Sequence, residues 1–354
     1  MPSSPVWRAY LPAGTSSPVV TARGVFVTSD YRVDALDRTS GNSVWTATIN
    51  SGYPPDELST GAPIVRDDTN EVLLGTTLSL GPGVSDRSFL SFDTRTGVKQ
   101  GEAAAVGVSA SLRGARLADT GLVSLPHNQG TFPEVEVRNR DDGTSWGGYT
   151  MADGTPTLGT SSLYVAGDTK VSSYDTGVPC SPVCSPTWSV TLDGRVQPVV
   201  IGEDRSVLYV GTTAGTLYAV DAATGATKWK TSVGSAITGS PALSNGVLYI
   251  PTSSGSLAAL PAAECRSATC SVIWTGATPA SISAQPAVAG GVVYAGSSDG
   301  AVTAFDAAGC KSATCRPVWA GRATGSSAAT PVNGLAVAFG SLYVGVNDGV
   351  AAFR

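Results

Sequence analysis

The sequence predicts an all-β protein folded as an eight-bladed β-propeller, in which each blade is a four-stranded antiparallel sheet. Two observations lead to this prediction: a tryptophan that returns at a regular spacing, and a repeat that is divided between the two ends of the chain. A regular period of about 40–45 residues is typical of folds whose stacked units bury a core that one unit alone lacks. The tryptophans that close the modules are Trp7, Trp45, Trp146, Trp188, Trp229, Trp274 and Trp319.

The divided repeat indicates that the modules close into a ring. The eighth module begins near residue 330 and stops after a third-strand segment at 349–354, without its tryptophan strand. A matching strand stands at the other end of the chain, at 6–10. We therefore expect residues 5–11 to complete the last blade, because joining the two ends removes the free edges of the ring. A linear solenoid gives no reason for such a division.

Each module contains four short strands with recognisable boundaries. The first begins with a residue followed by proline, which favours an extended strand start where no ladder donor is needed. The second alternates β-branched and aromatic residues, as in 246–250, and a glycine turn leads to the third. An Asp-x-x-x-Gly turn, such as that from Asp221 to Gly225, then leads to the tryptophan strand. With a degenerate third module, the blades of this single domain over residues 1–354 start near 17, 62, 108, 155, 197, 240, 285 and 330.

Composition excludes two classes of partner. Charged residues make up 14% of the 354 residues and the formal net charge is −5. A general nucleic-acid binder needs a basic stripe that displaces counterions from phosphates, which this balance does not supply. No stretch approaches the roughly 18 apolar residues of a membrane-spanning helix. We therefore expect no nucleic acid partner and no membrane span.

The six cysteines form three local pairs, which we predict to be structural disulfides. Each pair lies between the third strand and the tryptophan strand of its module. A redox site favours Cys-x-x-Cys, and a zinc site needs about four ligands, whereas the one histidine, His127, lies in a different module. Small loops of this kind contribute about 2 kcal/mol each when bridged. Disulfides indicate an oxidising compartment, so we expect a secreted or cell-surface protein with the pairs Cys180/Cys184, Cys265/Cys270 and Cys310/Cys315.

The segments 219–229 and 35–45, Ala-Val-Asp-Ala-Ala-Thr-Gly-Ala-Thr-Lys-Trp and Ala-Leu-Asp-Arg-Thr-Ser-Gly-Asn-Ser-Val-Trp, carry a resemblance to a known repeat. They resemble the tryptophan-docking repeat of quinoprotein dehydrogenases. The same repeat occurs in the outer-membrane assembly factor BamB and in many secreted bacterial PQQ-like proteins. The resemblance implies that the seven tryptophans dock neighbouring blades onto one another.

The same resemblance raises the question of a cofactor. In the dehydrogenases of the family, PQQ lies in the channel beneath a disulfide between adjacent cysteines, stacks on a tryptophan, and is accompanied by calcium. This chain has no adjacent cysteine pair, no tryptophan outside the repeat position and no recognisable calcium cluster. We therefore expect no cofactor, with PQQ and calcium as the alternative.

Candidate binding residues lie on one face of the predicted propeller. The first face carries the turns between strands 2 and 3 and the connections between blades, and the second face carries the other turns. Long segments at 50–61, 76–88 and 126–131 interrupt the regular pattern on the first face, and such loops on a rigid scaffold often bind ligands. We expect His127 to be solvent-exposed in a loop. The candidate residues are Tyr53, Asp56, Glu57, His127, Asn128, Gln129 and Asp168.

Neither a catalytic triad nor a metal cluster can be assembled around His127 from local sequence. Further carboxylates at Asp193, Asp299 and Asp348 belong to the same face, where paired acids would suit glycoside hydrolysis. We predict a non-enzymatic extracytoplasmic scaffold that binds a protein, peptide or glycan, as a monomer or as the ectodomain of a longer chain. The alternatives are an oxidoreductase using PQQ or another cofactor, and a carbohydrate-active lyase or hydrolase.

Overall fold

The computed structural model describes residues 3–29, 32–49, 62–81, 84–105, 116–117, 122–129, 132–139, 145–150, 154–177, 185–262, 270–323 and 330–354. Only the backbone is described at 75–81, 84–89, 102–105, 116–117, 122–129, 132–139, 145–150 and 154–155. Within these residues the chain forms strands and turns, and no helix long and apolar enough to cross a membrane is found among them.

The described strands form eight sheets, which we call blades 1 to 8 in chain order. Strand β1 (Trp7–Tyr10) belongs to blade 8. Blade 1 contains β2 (Val19–Val20), β3 (Val25–Ser29), β4 (Arg32–Leu36) and β5 (Ser43–Thr48). Blade 2 contains β6 (Ile64–Arg66), β7 (Glu71–Gly81), β8 (Val84–Asp93) and β9 (Lys99–Ala105). Blade 3 contains β10 (Arg116–Leu117), β11 (Leu122–Gln129), β12 (Phe132–Asn139) and β13 (Ser145–Thr150).

The second half of the chain follows the same order. Blade 4 contains β14 (Gly154–Leu158), β15 (Ser162–Gly167), β16 (Lys170–Asp175) and β17 (Trp188–Thr191). Blade 5 contains β18 (Val200–Ile201), β19 (Val207–Gly211), β20 (Thr216–Asp221) and β21 (Thr227–Ser232). Blade 6 contains β22 (Ala242–Ser244), β23 (Val247–Pro251), β24 (Ser256–Pro261) and β25 (Trp274–Ala277). Blade 7 contains β26 (Ala287–Ala289), β27 (Val292–Gly296), β28 (Ala301–Asp306) and β30 (Trp319–Arg322), and β29 (Thr314–Cys315) joins blade 6. Blade 8 contains β31 (Val332–Ala338), β32 (Ser341–Val346) and β33 (Gly349–Phe353).

The ring is closed by the two ends of the chain, as the divided repeat predicts. Strand β1 pairs antiparallel with β33, with Trp7 opposite Ala352 and Tyr10 opposite Gly349. The amide of Val6 adds a hydrogen bond of 2.7 Å to the carbonyl of Ala352. Because every residue of β33 is buried, its outer edge without β1 would be a row of unpaired polar groups. The eight-bladed propeller fold is therefore confirmed.

The core lies between the blades, on both surfaces of each sheet. All five residues of β3 are buried, and so are all five of β33. A strand that is half-exposed would alternate buried and exposed residues, but a middle strand of a blade has a neighbouring blade on each side. This arrangement explains why the second and third strands of the modules are almost continuously apolar or small.

Tryptophan side chains connect neighbouring blades through hydrogen bonds. The indole Nε1 of Trp45 in blade 1 donates to the carbonyl of Thr94 in blade 2 at 2.9 Å. Trp188 of blade 4 donates in the same way to Ala222 of blade 5 at 3.1 Å. In both cases the accepting carbonyl follows the aspartate of the Asp-x-x-x-Gly turn. Trp7 donates to Arg38 at 3.0 Å, which carries the pattern across the closure from blade 8 to blade 1. Trp146 lies in β13, where only the backbone is described.

A tyrosine on the second strand reinforces the same contact. The hydroxyl of Tyr209 in blade 5 donates to the carbonyl of Ala262 at 2.8 Å, and that of Tyr249 in blade 6 donates to Ala307 at 2.9 Å. The sequence signal for this second fastener is the aromatic position in the second strand. At the boundary between blades 4 and 5 a hydroxyl and an indole N–H share one acceptor, since Tyr164 at 3.4 Å and Trp188 at 3.1 Å both donate to the carbonyl of Ala222.

The glycine of the Asp-x-x-x-Gly turn is required by both backbone and packing. Gly225 has φ +74, and a Cβ at this position would stand 2.5 Å from Cε3 of Trp188. The aspartate stabilises the turn from the other side, since Oδ1 of Asp221 accepts from the amides of Ala223 at 3.1 Å and Thr224 at 3.0 Å. The hydrogen bond from Lys228, followed by those from Thr224 and Ala223, lowers the pKa of Asp221 to about 2.

A cystine loop adds a strand that the four-stranded pattern does not predict. The disulfide between Cys310 and Cys315 is present, with a Cα–Cα distance of 5.5 Å. Within this loop, β29 pairs parallel with β25, the outer strand of blade 6, and the amide of Thr275 donates to the carbonyl of Ala313 at 2.9 Å. Although it belongs to the module of blade 7, the loop reaches back to the preceding blade. It acts as a strap across the boundary between the two blades.

A second cystine residue makes a similar contact one blade earlier. Cys270 is disulfide-bonded, and its carbonyl accepts a buried hydrogen bond of 2.6 Å from the hydroxyl of Thr231 in the outer strand of blade 5. Cys180, Cys184 and Cys265 lie outside the described residues. The described parts of two cystine loops therefore bind the outer strand of the preceding blade.

Replacing Gly225 by alanine tests the docking contact. We expect Gly225→Ala to lower the free energy of unfolding by about 3 kcal/mol, because left-handed strain and the clash with Trp188 add together. Gly234→Ala is the matched control, since Gly234 has φ +86 and a Cβ added there would meet nothing within 4 Å. It should cost about 1 kcal/mol from backbone strain alone. Denaturant unfolding of both variants gives the difference, and equal losses would contradict the packing role.

The strap predicts a local effect of removing the disulfide. In Cys310→Ser/Cys315→Ser, we expect amide exchange at Thr275 to accelerate, because its acceptor Ala313 lies in the released loop. The amide of Thr278, bonded to Gly255 within blade 6 at 2.8 Å, should keep its protection. Hydrogen exchange followed by mass spectrometry measures both sites. Unchanged exchange at Thr275 would show that the strap holds without the bridge.

Candidate functional site

Two hairpins extend the first face well beyond the level where other blades turn. The second strands of blades 5 and 7 end at Gly211 and Gly296. In blade 2, the register places Gly75 at the same level, yet β7 continues through 76–81 and β8 returns from Val84. At about 3.3 Å per residue, this extension adds about 20 Å.

The neighbouring blade carries a shorter extension of the same kind. In blade 3, Pro126 stands at the level of Gly211, and β11 continues through His127, Asn128 and Gln129. The three residues pair with Glu134, Pro133 and Phe132 of β12. They add about 10 Å to the hairpin. Blades 2 and 3 therefore form a raised sector on the first face, which we call the hairpin sector (residues 76–81, 84–88, 127–129 and 132–134).

The prediction of loops at 76–88 and 126–131 is wrong in detail. Apart from 82–83 and 130–131, which lie outside the described residues, both segments continue the strand ladders. His127 is accordingly a strand residue rather than a loop residue. Leu78 and Leu80 alternate with Thr77 and Ser79, which is a short strand signal, but the Gly-Pro-Gly that follows at 81–83 favours a loop.

The other candidate residues have different positions. Tyr53, Asp56 and Glu57 lie in 50–61, outside the described residues. Asp168 is exposed in the turn between β15 and β16 of blade 4, with φ +48. Its carbonyl accepts from the amide of Val196 at 2.7 Å, so its backbone joins blade 4 to the start of blade 5. Within the part of the chain that the structure describes, Asp168 has no contact with the hairpin sector.

A repeated hydroxyl turn forms the first face of blades 5, 6 and 7. In blade 6, the buried hydroxyl of Thr252 donates to the carbonyl of Ser256 at 2.6 Å and accepts from its amide at 3.1 Å. Thr212 and Ser297 occupy the same position in the neighbouring blades. These turns leave small, uncharged side chains such as Ser253 and Ser254 exposed. The signal that identifies them in the sequence is Thr/Ser-x-x-Gly at the end of the second strand.

The polar residues before the strand-opening prolines connect the inner strands around the channel. Oγ of Ser240 donates to the carbonyl of Pro198 at 3.2 Å, and Nε2 of Gln285 donates to that of Pro241 at 3.1 Å. Ser17 repeats the contact at the closure, with a bond of 2.9 Å to the carbonyl of Asn333. Each bond joins one blade to the preceding blade. These three bonds restrain the inner strands where blades 6, 7 and 1 begin, whereas the hydroxyl of Thr330, before Pro331, is buried without a hydrogen-bond partner among the described residues.

Three carboxylates of the first face, those of Asp193, Asp299 and Asp348, are engaged in local interactions, whereas Asp168 is exposed. Oδ1 and Oδ2 of Asp348 both accept from Arg8, at 2.9 Å each. Oδ1 of Asp193 accepts from Thr212 at 2.8 Å, and its Oδ2 accepts from Thr216 at 2.6 Å. Burial acts to raise the pKa of Asp193, but these hydroxyls and Tyr218 outweigh it and lower the pKa.

Asp299 is held by similar hydrogen bonds. Ser297 donates to its Oδ1 at 2.7 Å and Arg322 to its Oδ2 at 2.6 Å. Burial acts to raise the pKa of Asp299, and the hydrogen bonds from Ser297, Ala301 and Arg322 lower it overall. A general acid needs a raised pKa so that it holds a proton near neutral pH. The shift at Asp193 and Asp299 runs in the opposite direction, so both are suited to stabilising turns.

A calcium ion for PQQ would need a cluster of oxygen ligands. Among the residues that the structure describes, no three His, Cys, Asp or Glu side chains are grouped to hold a metal ion.

Comparisons with known proteins support the family that the tryptophan repeat indicates. A family model described as outer membrane protein assembly factor BamB matches residues 3–121, 185–268 and 263–353, which is more than half of the chain. This match confirms the resemblance seen in the tryptophan repeat. A search of curated proteins finds no significant match.

Solved structures show the same fold at low identity. BamB from Moraxella catarrhalis is 16% identical with a TM-score of 0.69, over 99% of this chain and 98% of that chain. A quinohemoprotein alcohol dehydrogenase, ADHIIG from Pseudomonas putida HK5, is 12% identical with a TM-score of 0.66, over 99% of this chain and 72% of that chain. The C-terminal WD40 domain of Sif2 is 9% identical with a TM-score of 0.75, over 99% and 97%. These similarities show the fold alone.

The role of Asp299 can be tested by the pH dependence of stability. A carboxyl whose folded pKa is lowered stabilises the fold above its unfolded pKa of about 3.9, and this contribution is lost as the pH falls through the folded pKa. We expect Asp299→Asn to be less stable than the parent by about 1 kcal/mol at pH 7. The difference should shrink below about pH 4. Denaturant titrations at both pH values measure it, and a constant difference would contradict the charge-based role.

Proposed function

Because the chain belongs to the family of the outer membrane protein assembly factor BamB, we propose that it is a non-enzymatic scaffold that binds a protein or peptide on its first face. Residues 1–354 would form one propeller domain. Binding would occur at the hairpin sector, which the rest of the propeller supports. BamB is named as an assembly factor, and a propeller that holds partners without chemistry is consistent with that name.

The hairpin sector is the observation that carries this proposal. Blades 2 and 3 lie side by side, and both extend paired strands beyond the turns of other blades. A projecting hairpin has little to pack against within its own propeller, so its paired backbone does not serve the core. It offers an ordered surface to a partner, and its outer strand edges can pair with an extended peptide. A glycan partner is an alternative, which the exposed hydroxyl turns would suit.

The chemistry of the first face also favours binding over catalysis. Its described carboxylates Asp193, Asp299 and Asp348 are held by hydroxyls or arginines. Its exposed turns present hydroxyls such as those of Ser253 and Ser254, which form hydrogen bonds and do not transfer protons near neutral pH. A carbohydrate-active lyase or hydrolase would need a pair of free carboxylates, so it is the third candidate.

The compartment we propose is extracytoplasmic. The disulfide Cys310–Cys315 is of the kind that persists in an oxidising compartment. The outer membrane in the family's name agrees with such a location.

The second candidate is an oxidoreductase using PQQ. The fold of the alcohol dehydrogenase supports it, with a TM-score of 0.66. That chain extends well beyond the part matched here, since 72% of it is covered. A thermal-shift titration with PQQ and calcium, followed by a dye-linked oxidation assay on alcohols, separates the two functions. A ligand at 100 times its dissociation constant stabilises by about 2.7 kcal/mol, so a clear rise in Tm with dye reduction would overturn the scaffold proposal.

Site-specific cross-linking tests the hairpin sector directly. We expect a photoreactive amino acid at Asn128 to yield a discrete cross-linked species in cells, because Asn128 lies in the extension of blade 3. Ala22 is the matched control, since it is exposed in a turn on the second face of blade 1. Cross-linking at Ala22 with the same partner and yield would contradict a first-face site.

A shortened hairpin provides the complementary test. Replacing 76–88 by the five-residue turn of blade 5, Thr-Thr-Ala-Gly-Thr, should abolish the Asn128 cross-link. The core pairs, such as Val72 opposite Phe92, are kept, so the cooperative unfolding transition should remain. Retention of the cross-link in the shortened variant would place the partner elsewhere on the ring.

A further inference from the structure

A pocket opens between blades 5 and 6 on the second face, away from the hairpin sector. It has a volume of about 350 Å³ and lies between the β18–β19 turn of blade 5 and the first strand of blade 6. We propose that this pocket binds a small organic ammonium ion with an apolar body. The residues lining it that carry the argument are Glu203, Asp204, Tyr209, Lys228, Trp229 and Leu243.

The pocket exists where the docking pattern between blades is broken. At the boundaries after blades 1 and 4, the tryptophan ring lies against the turn glycine, Gly97 or Gly225. In blade 6, the register places Pro261 where Asp221 stands in blade 5, and the short glycine turn is replaced by a cystine segment that ends at Cys270. The surface against which Trp229 would otherwise dock is therefore changed, and space is left beside its ring.

The indole hydrogen bond seen at three other boundaries is also missing here. The indoles of Trp7, Trp45 and Trp188 each donate to a carbonyl of the next blade. The equivalent carbonyl, that of Ala262, instead accepts from Tyr209. Trp229 is 6% exposed, and its N–H forms no hydrogen bond with a described residue. A buried donor that is free and lines a cavity can bind an acceptor atom on a ligand.

Negative charge at the mouth of the pocket selects a cation. Glu203 and Asp204 are both exposed at the rim. Hydrogen bonds from Ser206 lower the pKa of Asp204, so this carboxylate is ionised near neutral pH. Burial, together with the charges of Asp204 and Glu203, raises the pKa of Tyr209 to about 12, so the phenol keeps its proton. The charge of Lys228 also acts on Asp204, but its Nζ is paired with Asp221 at 2.8 Å, so the carboxylates around the pocket outnumber this cation.

The floor of the pocket suits an apolar body. Tyr209 and Trp229 pack with their ring centroids 6.0 Å apart and are both almost fully buried. Leu243 of blade 6 adds an aliphatic side chain from the opposite wall. Aromatic faces attract an ammonium group as well as burying a hydrocarbon. A ligand with its ammonium at the carboxylates and its body against these rings satisfies all three surfaces.

Tyramine and its neutral analogue tyrosol test this proposal by isothermal titration calorimetry. Both carry a phenol that can accept from Trp229, and they differ in whether the side chain ends in an ammonium or a hydroxyl. We expect tyramine to bind at least about tenfold more tightly than tyrosol at low salt. Equal affinity, or no heat from tyramine at about 10 mM, would overturn the proposal.

Two variants and a control locate the binding. Glu203→Gln/Asp204→Asn removes both charges yet keeps an acceptor for the amide of Gly246, which Oε1 of Glu203 holds at 3.2 Å in the parent. It should weaken tyramine by about tenfold and leave tyrosol unchanged. Asp67→Asn, which removes a carboxylate from the second face at blade 2, should leave both affinities as in the parent. Leu243→Trp should abolish binding with Tm retained, and tyramine binding that survives both pocket variants would refute the assignment.

Discussion

The contact on which the propeller depends is the one between an aromatic side chain and the Asp-x-x-x-Gly turn of the next blade. A four-stranded blade buries apolar residues on both of its surfaces, so it has no stable existence unless each neighbour is held at the correct angle. Trp45 and Trp188 supply this restraint through a directed hydrogen bond together with ring packing. The turn must be free of a Cβ at Gly97 and Gly225 for the rings to approach. At these boundaries one residue type on each side therefore sets how the two blades meet.

The rest of the architecture protects that contact. The N-terminal strand closes the ring, so neither end of the chain leaves an unpaired blade edge. Polar side chains before the strand-opening prolines join the inner strands, as in the bond from Gln285 to Pro241. The strap from Cys310 to Cys315 and the carbonyl of Cys270 join the outer strands. Blade boundaries are therefore restrained at the channel, at the middle and at the rim.

Much of this fold could be predicted from the sequence, since its determinants are local and repeated. The spacing of tryptophans predicts the blades, and the strand at 6–10 predicts how β1 completes blade 8. Strand β29 could not be predicted, because two residues that pair parallel with another module depend on tertiary contact alone. The extension of β7 through Gly81 was missed because the alternating Leu78 and Leu80 are followed by Gly-Pro-Gly at 81–83, which favours a loop. Of the predicted site, His127, Asn128 and Gln129 lie together on one strand, whereas Tyr53, Asp56 and Glu57 fall outside the described residues.

In this propeller, the candidate ligand pocket lies where the repeat is irregular. A regular boundary uses its aromatic ring, its turn carbonyl and its glycine to hold two blades, so it has no group left for a ligand. The boundary between blades 5 and 6 keeps the hydroxyl of Tyr209 on the turn carbonyl but releases the N–H of Trp229. One fastener there is sufficient because Thr231 bonds the carbonyl of Cys270 at 2.6 Å and takes over part of the restraint. The sequence of blade 6 therefore lacks the Asp-x-x-x-Gly turn at this boundary, and the carbonyl of Cys270 supplies a bond that joins the two blades there.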